Sequence, residues 1–326
     1  MNETTLTPDP DLIYSLYTGI FKPQIIRMAL LLGVFAPLAE GPLDAAAVAQ
    51  ACGCDPFGTS ALLDYLSSLN LLTRQEDTYA LTPTAATFLV PGNKTYVGDL
   101  VLGYTATVMW DSVLQALRSG QPVPFEEEAL FAQDAWLESY SAWRVPNSLE
   151  MWQAAGIEPE CGSPLRVLDI ACGCAIKSLV LAARSHAPRV TCLDRPAVLA
   201  AARDLAERMG VLPQVTFFPE NLLTADLGRA QYEACLLGQI TQYLTEEQNR
   251  ELFGRIRAAL LRDGLLVVDC PMATDQPDES TSFLTLVLWA NGGGAAHSFE
   301  TYRGWLKSAG FRQVTQLSER WLSATR

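Results

Sequence analysis

Neither of the two common phosphate-gripping motifs occurs in this chain. G-x-G-x-x-G is missing, and so is G-x-x-x-x-G-K-[ST], which argues against a dinucleotide held by its pyrophosphate and against a nucleoside triphosphate. Histidine is nearly absent. With only His186 and His297, and with Cys52/Cys54 and Cys172/Cys174 spaced C-x-C rather than C-x-x-C, no metal site is expected. Basic residues are outnumbered, 23 Lys and Arg against 36 Asp and Glu, a net charge of -13. That balance works against displacing counterions from a polyanion, so neither nucleic acid nor an anionic membrane is expected as partner. No apolar run is long enough to span a bilayer: the longest, Met28 to Ala39, is short and interrupted by Gly33 and Pro37. Eight cysteines in 326 residues are too few for a disulfide scaffold. The first residues, Met1 to Thr5, lack a signal-peptide layout, so a soluble cytoplasmic protein is expected.

What is present is a strand, a turn and a helix. The apolar run Val167-Leu168-Asp169-Ile170 passes into Ala171-Cys172-Gly173-Cys174-Ala175, small residues only, and a helical pattern starts at Ile176. About twenty residues on, Arg189-Val190-Thr191-Cys192-Leu193 ends in Asp194. In an open α/β sheet a turn of small residues lets a ligand approach the backbone, and an acid ending the second strand can take the two hydroxyls of a ribose. With no phosphate cradle, the pattern implies an adenosine-containing cofactor without phosphates. A buried strand and tight turn of any α/β fold is the alternative.

At 326 residues, 49% of them hydrophobic, the chain accommodates two domains. Residues 1–110 read as helices with one hairpin. Asp11 to Leu32 has helical spacing with a break near Pro23, Asp44 caps a short helix closed at Cys52-Gly53-Cys54, and Thr59 to Leu69 forms another. Leu71 to Thr73 and Thr78 to Thr82 make the hairpin, completing a winged-helix pattern. The segment that would enter a DNA groove, Asp55 to Asn70, has no Lys or Arg, so a protein–protein role is expected, with Met28 to Phe35 as interface or plain core. Helices over 97–117 and 125–153 form a connector, residues 111–160. From 161 to 326 strands near 166–171, 189–193, 214–218, 232–238, 264–270, 312–316 and 320–325 alternate with helices. The fold class expected is α/β, a Rossmann-like, mostly parallel sheet covered on both faces, preceded by a mainly helical domain.

Read with these motifs, the chain resembles the small-molecule O-methyltransferases that use S-adenosylmethionine and carry an N-terminal winged-helix dimerisation domain, the plant caffeate and bacterial polyketide type. The likeness runs from about Leu12 to Ala324. It rests on Val167 to Ala175, Leu193-Asp194-Arg195-Pro196, Leu222-Leu223, Leu237 to Glu247, Leu265 to Asp269 and Ala309-Gly310-Phe311, with Trp110 to Leu114 and Leu117 to Pro122 earlier. The resemblance implies a homodimer acting on a small-molecule acceptor. Ala171, Cys172 and Gly173 would pass under the methionine part of the cofactor, and Asp194, followed by Arg195, would hold the ribose. Asn221, where the family has Asp, and Leu222 would flank the adenine. Gly238 and Gln239 would lie near the cofactor, and Arg144 would pair with its carboxylate.

One departure stands out. Where the family places a catalytic histidine this chain has Gln242, whose amide cannot take a proton. Asp269 stands at one of the positions that orient that histidine and Ala296 at the other. His297 is a candidate substitute, or else a surface histidine. General-base assistance is worth roughly 10²–10⁴-fold, so its loss narrows the acceptor without excluding transfer. The expected reaction is methylation of a small, aromatic acceptor, at oxygen first and at carbon next, with Gln242, Asp269 and His297 as the groups nearest the chemistry. Tyr104, Trp110, Trp143 and Trp289 would line a flat pocket, with Trp136 close by, though core packing explains each of them as well. A non-methylation reaction on the same cofactor, or a non-catalytic binding protein, remains open on the sequence.

Overall fold

A computed structural model describes residues 10–93, 95–104, 108–123, 145–158, 165–274, 276 and 278–326. Contacts divide the chain into two units, Met1–Ala106 and Thr107–Arg326.

The first unit is built from short helices and a small sheet. Helix Pro10–Thr18 is followed by helix Phe21–Leu32, so the break falls at Gly19 and Ile20, ahead of Pro23. Proline's missing N–H costs nothing within a helix's first turn, and Pro23 therefore starts the second helix instead of ending the first. Asp44 caps helix Ala45–Cys52 by accepting the N–H of Ala47 at 2.7 Å, and Asp55 caps helix Pro56–Ser68 in the same way. Strands β1 (Leu43–Asp44), β2 (Leu72–Gln75) and β3 (Thr78–Leu81) pair antiparallel in the order β1-β3-β2. Ala29, Phe35, Leu38, Val48, Leu63, Leu66 and Tyr79 fill the space between helices and wing. The expected winged-helix pattern is what forms, with β1 as an addition. Ile13, Leu16, Ile20, Phe21, Met28, Leu31 and Leu32, all on the first two helices or between them, stay exposed in the single chain.

The second unit holds a seven-stranded sheet: β4 (Leu165–Ile170), β5 (Pro188–Asp194), β6 (Val215–Pro219), β7 (Tyr232–Gly238), β8 (Leu260–Asp269), β11 (Gln313–Gln316) and β12 (Trp321–Thr325). The order is β11-β12-β8-β7-β4-β5-β6, parallel from β6 to β8, with β12 and β11 antiparallel at the far edge. Side chains alternate between the two faces, as the period of a strand requires. Leu168, Ile170, Cys235, Leu237, Leu266 and Val268 enter one core, while Val167, Ala234, Leu236 and Val267 enter the other. Both faces are buried, which explains the nearly continuous apolar runs that made these strands legible.

Three details differ from expectation. A 3-10 turn, Leu212–Gln214, precedes β6 and moves its start to Val215. Asn291 to Gly294, expected from the sequence as a flexible loop beside His297, is half helix: Glu279–Gly292 takes in Asn291 and Gly292, and Gly293 to Ala296 lead on to His297. Two two-residue strands, β9 (Met272–Ala273) and β10 (His297–Ser298), pair in parallel and tie that region down. Among the described residues no helix is long and apolar enough to cross a membrane.

Candidate active site

In an open α/β sheet the crevice forms at the carboxyl ends of the strands, where the order reverses. Here that point is β4, flanked by β5 on one side and β7 on the other. The turn after β4 is left-handed three times, at Ala171 (φ 54°), Gly173 (φ 58°) and Ala175 (φ 59°). Alanine in that region costs roughly 1 kcal/mol, so the turn is held by its surroundings. The Cys172 N–H donates to Leu193 O at 3.2 Å and the Gly173 N–H to Asp194 Oδ2 at 2.9 Å, which stitches the turn to the end of β5.

Asp194 also accepts the Arg195 N–H at 2.8 Å through Oδ1. Burial raises its pKa above the ordinary carboxylate range, while those two N–H groups hold it down. Each carboxylate oxygen keeps a further lone pair, which is what two ribose hydroxyls would need. The small, partly exposed turn and this acid fit the adenosine part of S-adenosylmethionine. Along the same edge, Asn221 Oδ1 accepts the Leu223 N–H at 2.9 Å, so part of its capacity is spent on its own loop. Leu222 packs against the core of one sheet face.

Asp169 lies below the turn, 2% exposed. Desolvation pushes its pKa from 3.8 to about 7, opposed by a hydrogen bond from Ser178 Oγ at 2.6 Å and by the charge of Lys177. Cys172, on the turn itself, has its thiol pKa raised well above the ordinary value, chiefly by burial.

A second polar group spans the ends of β7 and β8. Asp269, 3% exposed, forms an ion pair with Lys177 (Nζ to Oδ2, 2.6 Å), accepts Gln239 Nε2 on Oδ1 at 3.1 Å, and faces Arg320 at 3.5 Å. Gln239 is left-handed (φ 62°), and its own N–H donates to Asp269 O at 2.7 Å, so backbone and side chain bind one residue. Gln242 Nε2 reaches Gln239 Oε1 at 3.4 Å, while Gln242 Oε1 is buried with no hydrogen-bond partner among the described residues. Gly294 fits against this turn because it has no side chain: a Cβ there would lie 2.2 Å from Gln242 O.

The structure therefore brings Gln239, Gln242 and Asp269 together. It seats His297 in a different group. The imidazole packs edge-on against Trp305 (centroids 4.7 Å apart) and Tyr302 (5.9 Å), and its Nε2 is buried with no partner among the described residues. Burial lowers its pKa, with Glu246 opposing. Trp289, on helix Glu279–Gly292, lines a cleft of about 530 Å³ with Thr274, Gln276, Thr281, Thr285 and Leu286. Arg144, Trp136 and Trp143 lie outside the described residues, as do the side chains of Tyr104 and Trp110.

Sequence reasoning missed Lys177. A cation at the second position of helix Ile176–Arg184 is disfavoured by the helix dipole, and that misfit was the available signal.

Known proteins are similar to this chain in sequence and fold. Residues 14–91 match the O-methyltransferase dimerisation domain and residues 167–264 a methyltransferase domain, together just over half of the chain. A 3-hydroxy-5-methyl-1-naphthoate 3-O-methyltransferase of Streptomyces sahachiroi is 26% identical over 315 residues, covering 94% of this chain and 90% of that protein. An N,N-dimethyltransferase of Streptomyces rimosus is 26% identical over 325 residues, covering 92% and 90%. The crystal structure of human N-acetylserotonin methyltransferase in complex with S-adenosylmethionine superposes with a TM-score of 0.81 at 22% identity, covering 100% of this chain and 99% of that one. The chain belongs to the methyltransferases that carry an O-methyltransferase dimerisation domain ahead of the methyltransferase domain.

Proposed function

We propose that the protein is a homodimer that methylates a small aromatic acceptor in a biosynthetic pathway, at oxygen first and at carbon next, without a histidine base. What supports this reading is the buried amide of Gln242, hydrogen-bonded through Gln239 to Asp269, at the position where the resemblance leads one to expect the histidine. Relatives named for naphthoate and acetylserotonin O-methylation support the acceptor class.

S-adenosylmethionine supplies an electrophilic methyl on a positive sulfur. The chain's task is then to bind and align. Asp194 would hold the ribose, the Ala171–Gly173 turn would pass beneath the methionine part, and Asn221 and Leu222 would flank the adenine, with Arg195 and Gly238 beside them. Gln242 would position the acceptor, its Oε1, unpartnered among the described residues, accepting a hydrogen from a polar group other than the oxygen to be methylated. Alignment of acceptor and methyl can supply about 7–11 kcal/mol of the barrier, more than a base contributes. His297, packed on Trp305, would hold the loop after Gly294 and stay out of proton transfer. Trp289 and its cleft would form one wall of the acceptor site. The exposed apolar side chains of the first two helices would form the dimer contact.

Incubation with methyl-labelled S-adenosylmethionine and a panel of phenols, naphthols and aromatic amines, read by product mass, tests the reading. A methylated phenol or naphthol is expected. Tight S-adenosylmethionine binding with a transformed but unmethylated product would replace it with non-methylation chemistry on the same cofactor.

A further inference from the structure

Lys177 has no role in the reading above, yet it lies where the reaction would occur. Its side chain, 13% exposed, leaves the helix that follows the cofactor turn and crosses the end of β7, so that a Cβ on Gly238 would come within 2.8 Å of Nζ. It ends on Asp269 at 2.6 Å. Among the described residues Asp269 is the ammonium's one partner at bonding distance, an ion pair, and at least two of its three N–H donors stay unspent in a largely buried place. Arg320 faces the same carboxylate at 3.5 Å, so two cations share one anion. Asp169, the other acid acting on Lys177, is held partly protonated at neutral pH by burial. In the same cluster the buried Oε1 of Gln242 has no partner among the described residues. A group with excess positive charge, spare donors and a spare acceptor is built for an anion that still carries polar edges.

We infer that Lys177, anchored by Asp269 and bordered by Gln239 and Gln242, binds the acceptor as an oxyanion, a phenolate or an equally ionised hydroxyl. The inference rests on the methyltransferase reading and names its substrate class. It also explains how the missing base is tolerated. The ionised oxygen forms the new O–CH3 bond as the S–CH3 bond breaks, the electron pair of that bond stays on sulfur, and no proton has to be removed.

The probe is 4-nitrophenol, whose anion is yellow, titrated with the protein saturated with S-adenosylhomocysteine. The bound probe is expected to ionise about one pH unit below the free probe, a roughly tenfold preference for the anion. Lys177→Gln should abolish that shift while leaving S-adenosylhomocysteine affinity within about twofold, and Lys177→Arg, which keeps the charge and guards against a folding artefact, should retain most of it. Three results overturn the inference. Lys177→Gln could weaken S-adenosylhomocysteine about tenfold with the shift intact, which would assign the ammonium to the cofactor's carboxylate. It could change neither quantity, which would make the ion pair a packing element. The loaded wild type could bind the neutral phenol, or take up no probe at millimolar concentration. Failure of the wild type to bind S-adenosylhomocysteine at all would overturn this inference and the methyltransferase reading together.

Discussion

Replacing Asp169 by asparagine should make the protein more stable at alkaline pH, with the gain fading towards acid, the reverse of what loss of a charged side chain beside a lysine usually suggests. Asp169 is 2% exposed, and its pKa stands at about 7 against 3.8 for a free side chain. The folded state thus keeps a proton that the unfolded chain releases between pH 4 and 7. Folding stability falls as pH rises through that window, and the penalty is complete above pH 7. A difference of about three pKa units corresponds to about 4 kcal/mol at pH 8, shrinking to about 2 at pH 5 and under ~1 at pH 4. The Asp169→Asn variant would carry no such penalty, and Ser178 Oγ, which donates to the carboxylate at 2.6 Å, can still bond the amide. Urea unfolding of wild type and Asp169→Asn at pH 5, 6.5 and 8 isolates the effect, because every other titrating group is common to both. The difference should grow in favour of Asp169→Asn as pH rises. A difference that is flat with pH, or a variant less stable at pH 8, would mean that the carboxylate is ionised in the fold and paired with Lys177, and the reasoning would fail.

Asp194→Ala should weaken S-adenosylhomocysteine by about 1–3 kcal/mol in calorimetry, roughly 5- to 150-fold, through loss of two hydrogen bonds to a charged acceptor. Gln242→His should raise turnover of neutral phenols, by up to the roughly 10²–10⁴-fold that a base provides, with the gain following deprotonation of the new imidazole as pH rises. Gly294→Ala should lower the melting temperature and the acceptor affinity together, since its Cβ would fall 2.2 Å from Gln242 O. Leu31→Glu, on the exposed face of helix Phe21–Leu32, should convert a dimer to monomer in light scattering, and an unchanged mass would place the contact elsewhere.

How much of this was legible in the sequence depended on whether the cause was local. The strands of the second unit were readable because both faces of the sheet are buried, so Val167 to Ile170 and Leu265 to Asp269 appear as apolar runs that carry an acid at or near their ends. The cap at Asp44 was readable because the bond closes within three residues, whereas the cap at Asp55, which starts its helix at Pro56 instead of Thr59, was missed. The β9–β10 pair was invisible: two residues carry no periodicity, and the partners are brought together only by the folded loop. Helix Glu279–Gly292 contains Phe283, Leu284, Leu286, Val287, Leu288 and Trp289, with apolar groups nearly all round, which hides the helical period. His297 looked like a substitute base from its sequence position, but its ring contacts are with Trp305 and Tyr302.

Lys177 illustrates the other side of that rule. Its partner Asp269 closes a strand far along the chain, so no window of sequence contains the pair, although each member breaks a local rule. A lysine in the first turn of a helix opposes the dipole, and an acid at 3% exposure opposes desolvation. Separately these are small misfits. Across the strand ends they compensate one another, and they do so beside Gly238 and Gln239, close to the cofactor site as proposed. Removing a general base and adding a buried cation are opposite ways to meet one requirement, an electron-rich oxygen facing the methyl. A base makes the anion on the enzyme, whereas a cation selects the anion from solution. The second route limits the enzyme to acceptors acidic enough to ionise near working pH, so activity across a series of substituted phenols should fall as their own pKa values rise. Insensitivity to that series would mean that the ion pair leaves the acceptor's charge state alone.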